Sequence, residues 1–211
     1  MIHDVRDQID PRQFGCLKGT STTFCLLEII HHWLSEIDQP GNHLSLCFLD
    51  FSKAFDRINI IKKASKRLHI LRILKRASVP PQDLLVIYAS LVRSVLEYCC
   101  PVWHNNLPQY LSDLVERVQK RAFRIILPNT TYSEALAELK SMSLSETRDE
   151  LCKKTIKKIV KGTSLSHLLP TTRVCAHGRD LRNGNNRSSF SCRTNRFKNS
   201  FFPSMINHLN I

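Results

Sequence analysis

Apolar residues recur at helical intervals between Thr22 and Ile37: Phe24, Leu27, Ile30 and Leu34, with Leu26 and Ile37 beside them. Ser21 or Thr22 supplies a side-chain oxygen for the first free amides, so the spacing predicts a helix to about Ile37. Asp38-Gln39-Pro40-Gly41-Asn42 is a turn by composition. Six apolar, β-favouring residues, Leu44 to Leu49, then run into Asp50 and read as a strand with a carboxylate at its end. Ser52 to Arg57 can start a further helix.

Beyond Asn59 the period is helical. Ile60, Ala64, Leu68, Leu71 and Leu74 line one face of a helix to about Ala77, and Ser78-Val79-Pro80-Pro81 ends it. A second helix opens at Pro81 or Gln82 and buries Leu84, Leu85, Tyr88, Leu91, Val92, Val95 and Leu96, with Pro101 expected to stop it. A third runs from about Pro108 to Leu127 on a stripe of Leu111, Leu114, Val115, Val118, Ala122 and Ile125. A short helix near Ser133 to Lys140 follows. Ser143-Leu144-Ser145-Glu146 matches a capping box for a last long helix ending at Gly162. The expected fold class is mainly α: a helix with one or two strands, a basic helical region and an irregular tail, divided as 1–59, 60–170 and 171–211.

A chain of 211 residues, 42% hydrophobic, can bury a core. No apolar run approaches the roughly 20 residues of a membrane span. The polar, acidic start Met1-Ile2-His3-Asp4 is unlike a signal peptide, so the expectation is an intracellular protein of nucleus or cytoplasm, not secreted and without a membrane partner. Most of the eight cysteines lie within apolar patterns and are expected as reduced thiols. Cys175-Ala176-His177 with Cys192 lacks a Cys-x-x-Cys pair and is a weak zinc candidate.

Charge changes the picture. The net is +13, yet Met1 to Asn59 carries five Lys and Arg against eight Asp and Glu, whereas the remainder carries 26 against 10. Such asymmetry points to an anionic partner for the second part, RNA or DNA being the usual one. The candidate contacts are Lys62, Lys63, Lys66 and Arg67 on the first basic helix, and Arg117, Lys120, Arg121 and Arg124 on the third. Electrostatic contacts of this kind carry no base specificity. Thr171 to Ile211 is polar and basic and is expected to be disordered through about Ser189. Its Phe197, Phe201 and Phe202 either stack on RNA bases or dock the tail on the helical region, docking being the favoured reading.

Phe48-Leu49-Asp50-Phe51-Ser52-Lys53-Ala54-Phe55-Asp56-Arg57-Ile58-Asn59 resembles the first catalytic motif of reverse transcriptases from LINE-type non-LTR retrotransposons. Gln13-Phe14-Gly15-Cys16-Leu17-Lys18-Gly19-Thr20-Ser21-Thr22-Thr23 is similar to the fingers motif of that family, and Ile60 to Leu68, Tyr98 to Leu127 and Arg193 to Pro203 are similar to parts beyond its palm. The resemblance implies that Asp50 is one of the carboxylates holding two Mg²⁺ ions, assisted by the Phe51 carbonyl. It implies that amides around Lys53 and Ala54 meet a nucleotide triphosphate, that Phe55 gates the ribose, and that Lys18 lies near phosphates. Two-metal phosphoryl transfer needs several hard oxygen ligands. The family's Pro-Gln-Gly and Asp-Asp motifs occur nowhere in the chain, so Asn59–Ile60 reads as a junction across a missing palm centre. The expectation is a truncated RNA-directed DNA polymerase with a vestigial nucleotide site, no stably bound Mg²⁺ and no activity. The alternatives are a non-specific RNA- or DNA-binding helical module, or a chain without a selected role.

Overall fold

The structure is a computed structural model and describes residues 21–42, 57–162, 165–172 and 186–210. Among them the fold is mainly helical, with no strand; a single antiparallel bridge joins Thr172 and Arg187. The expected strand Leu44 to Leu49 and Asp50 lie outside the described residues. The chain divides into two compact units. Unit 1 comprises Met1–Ser45, Pro101–Asn106 and Cys152–Ile211, and unit 2 comprises Leu46–Cys100 and Leu107–Leu151.

In unit 1, α1 (Thr22–Asp38) begins where its spacing predicts, with Ser21 accepting from the Phe24 amide at 3.2 Å. Two short helices, α9 (Asn195–Lys198) and α10 (Phe201–Leu209), pack against α1 and bury Phe197, Phe201, Phe202, Met205 and Ile206. The expected disorder through Ser189 meets described backbone from 186 onward: the Ser188 amide bonds the Thr171 carbonyl, and Asn210 bonds the backbone of Arg187. The three phenylalanines are docked rather than displayed, and the helix they meet is α1, not the basic region expected to receive them. His31 on α1 sits among them, its ring centroid 5.4 Å from Phe190, 5.6 Å from Phe197 and 4.8 Å from Phe202.

In unit 2, α2 (Arg57–Arg76) buries Ala64, Leu68 and Leu71 and runs without a break through Asn59 and Ile60. Ser78 ends it in the left-handed region at φ 61°, while the Val79 amide reaches back to the Leu74 carbonyl at 3.2 Å. Helices usually place glycine at such a position. Next come α3 (Pro81–Tyr88), a π-helical turn (Ala89–Arg93) and one more turn, α4 (Ser94–Leu96). Pro101 does not stop this run. The run closes at Cys99, whose φ is 50°, and Pro101, the first residue of the next stretch of unit 1, lies instead in the first turn of α5 (Cys100–Trp103), where its missing N–H costs nothing.

α6 (Gln109–Ile126) packs against α2, α3 and α7 (Tyr132–Glu138). Its buried stripe differs from the expected one: Leu114 and Ile125 are half-buried, and Gln119, Phe123 and Ile126 take the interior. The expected capping box of Ser143 with Glu146 forms ahead of α8 (Leu144–Val160), and a second, Thr131 with Glu134, opens α7. Gly162 follows at φ 100°. No helix among the described residues is long and apolar enough to cross a membrane.

Candidate nucleic-acid interface

α2 carries eight Lys or Arg and no Asp or Glu over its 20 residues. With Ala64, Leu68 and Leu71 buried, the helical period turns Lys62, Lys63, Lys66, Arg72 and Arg76 outward, and all five are exposed. Ile70 and Ile73 share this outer face, 40% and 49% exposed. On α6 the equivalent face bears Arg117, Lys120, Arg121 and Arg124, all exposed.

The eight candidate cations are not equivalent. Arg67 is half-buried, and its Nη1 donates to the Leu91 carbonyl at 2.5 Å, inside the π-helical turn. A π turn disturbs the regular i→i+4 ladder. The Arg67 guanidinium serves this turn as a structural donor. Lys120 lies over the Tyr132 ring at 5.2 Å and so spends part of its charge on a neighbouring aromatic. Lys75, from the same basic helix, donates to the Ile126 carbonyl at 2.9 Å, where a cation suits the end of α6. That leaves Lys62, Lys63 and Lys66 on α2 and Arg117, Arg121 and Arg124 on α6 as the outward set.

A buried polar network fixes how α6 presents its face. The Tyr88 hydroxyl donates to Gln119 Oε1 at 2.7 Å, and Gln119 Nε2 donates to the Tyr132 hydroxyl and to the Met142 carbonyl, each at 2.9 Å. Tyr132 in turn donates to Glu116, and Arg148 Nη2 donates to Ser112 at 2.9 Å. Burial raises both tyrosines above the ordinary phenol range, with the Glu116 hydrogen bond adding to the rise at Tyr132. Both therefore stay hydroxyl donors. Burial also lowers Arg148, opposed by Cys100, Glu116 and Asp149. Periodicity did not find this network, because Gln119 stands among apolar residues and only its partners show why it is inside.

Tyr110, in the first turn of α6, is 64% exposed. It lies seven residues before Arg117 and eleven before Arg121, so the three share one side of the helix. An aromatic at that interval ahead of two arginines was the signal the sequence offered for it.

Lys18, Asp50, Phe51, Lys53, Ala54 and Phe55, and with them the Mg²⁺ site that the resemblance implies, lie outside the described residues, as do Cys175 and His177. Among the described residues no group of three or more His, Cys, Asp or Glu is placed to hold a metal, and none of the five described cysteines is in a disulfide.

Residues 57–94 match the family model described as alkylated DNA repair protein alkB homolog 8, N-terminal. The matched stretch begins with α2 and closes with the π turn, so it coincides with one packed helical pair and its connection. No curated protein and no solved structure matches the chain. These findings overturn the expected membership in the reverse transcriptases of LINE-type retrotransposons: the family model matched is a different one, and it covers the segment read as lying beyond a palm. The resemblance rested on short strings around a single acid, Asp50, and a two-metal polymerase needs more ligands than one. In sequence terms, the chain is similar over a short part of its length to the N-terminal region of a family described by DNA repair.

Proposed function

We propose that unit 2 binds RNA or DNA through phosphate contacts, without sequence preference, using the outward cations of α2 and α6. The composition of α2 carries this reading: eight cations and no acid on one helix. Lys62 and Lys63 stand four and three residues before Lys66, and no acid on the helix offsets their mutual repulsion. An anionic partner relieves that cost. The match of 57–94 to a family described by DNA repair supports a nucleic-acid partner for this same helix.

Binding of the full chain to RNA and DNA oligomers of mixed sequence, followed by fluorescence anisotropy from about 50 to 200 mM salt, tests the reading. Counterion release predicts a straight fall of log K with log salt. Replacing Lys62, Lys63 and Lys66 together by alanine reduces that slope by about two to three. Binding that ignores salt, or no binding at low salt, overturns the proposal.

A further inference from the structure

We infer that the outer face of α6 is a track for single-stranded nucleic acid, with Tyr110 as a stacking platform for an unpaired base and Arg117, Arg121 and Arg124 holding the phosphates. The inference rests on the phosphate-binding reading above and adds the strandedness of the ligand.

Tyr110 is the most exposed aromatic on the helix, at 64%. A tyrosine so placed is not part of the core that Val115, Val118, Ala122 and Phe123 help to build. The other tyrosine beside this helix, Tyr132, is already committed: its hydroxyl turns inward to Glu116 and its ring is covered by Lys120. Tyr110 therefore offers the free ring face along the run of arginines. At about 1.5 Å per residue, Tyr110 stands roughly 10 Å from Arg117, and the run to Arg124 extends about 21 Å, long enough for several nucleotides. The neighbouring acid, Asp113, accepts a hydrogen bond from Gln109 at 2.9 Å, which offsets part of its repulsion of the strand.

Stacking decides the strandedness. The bases of a duplex have their faces covered by one another, and a ring fixed on a rigid helix cannot reach them. Unpaired bases expose a face, and every base has one, so stacking is compatible with binding that ignores sequence. The network through Gln119 holds α6 in one rotation about its axis, which keeps Tyr110 and the three arginines turned outward together.

The test compares the full-length chain and its Tyr110→Ala and Tyr110→Trp variants on a fluorescein-labelled oligouridine and on a perfect duplex of equal length. The expected result is a loss of about tenfold in single-strand affinity for Tyr110→Ala, retention for Tyr110→Trp, and no change on the duplex. The slope of log K against log salt stays that of the parent for both variants, since no charge is removed, whereas Arg117→Ala with Arg121→Ala lowers it. Equal single-strand affinity of Tyr110→Ala and parent, or parent preference for the duplex, overturns the single-strand track while leaving phosphate binding intact. Absence of binding to either oligomer at low salt overturns the phosphate-binding reading itself.

Discussion

Asp38 and Arg193, 155 residues apart, close on each other reciprocally at the end of α1. The Asp38 carboxylate accepts from the backbone amides of Arg193 and Thr194 at 2.7 and 2.6 Å. The Arg193 guanidinium answers by donating to the carbonyls of Ile37, Asp38 and Gln39, the Asp38 contact at 2.6 Å. Free carbonyls at one helix end and free amides ahead of the next satisfy each other through a single pair. Asp38→Ala is expected to lower the melting temperature by more than Arg193→Ala, because only the former strands two amides. The double variant should lose less than the sum of the two. Thermal melts of the four proteins check this, and simple additivity would count against the pair acting as one latch.

The same carboxylate gives an acid limb. The Arg193 backbone hydrogen bond holds Asp38 below its ordinary 3.8. Its contribution is thus present above pH 3.8 and is lost as pH falls through the lower folded value. Asp38→Asn should remove that part of the acid transition.

His31 predicts a second, separate window. Burial among Phe190, Phe197 and Phe202, with smaller effects from His32 and His167, pulls its pKa from 6.5 down to about 4, and its Nδ1 has no hydrogen-bond partner among the described residues. Glu28, one turn ahead of it on the same helix, pairs with His167 at 3.9 Å. The unfolded chain binds a proton at His31 below pH 6.5 and the folded chain does not until about pH 4, so stability falls as pH drops between those values. The shift corresponds to about 3 kcal/mol across the interval. His31→Phe should flatten this part of a denaturant titration; an unchanged slope would place the effect elsewhere.

Arg67 and Lys66 are neighbours with opposite expected roles. Arg67→Ala strips the Leu91 carbonyl of its donor and should cost about 1 to 3 kcal/mol of stability. Lys66→Ala should leave stability within about 0.5 kcal/mol and weaken RNA binding at low salt. Urea unfolding and anisotropy on the two variants check the exchange of roles.

Gln119→Leu keeps the volume of a side chain that is 1% exposed but leaves the Tyr88 hydroxyl and the Met142 carbonyl inside without their partner. The expected cost is about 2 to 4 kcal/mol, read from urea unfolding at neutral pH. A neutral outcome would mean that water replaces the amide.

Local rules were sufficient for α1, for the Ser143–Glu146 capping box and for the buried face of α2, because each rests on residues within four positions of one another. They failed where a distant partner decides. The stripe of α6 rotates toward Gln119, Phe123 and Ile126 because Tyr88 and Tyr132 meet it from other helices. The stop assigned to Pro101 belongs to the left-handed Cys99, and no composition rule marks a cysteine for that conformation. The π turn has no signature in its own residues, Ala89 to Arg93; its stabilising donor is Arg67, on another helix. The outward cations were legible as a group. Which of them are committed inside the protein was not.

The wrapping of α1 by α9 and α10 also sets an order of events at the ribosome. At about 5 to 20 residues per second, the 155 residues separating Asp38 from Arg193 take roughly ten to thirty seconds to synthesise. Throughout that delay His31 has none of the phenylalanines that later surround it. A nascent α1 is accordingly a stretch for chaperones to shield, and a translational pause before codon 190 should lengthen its exposure.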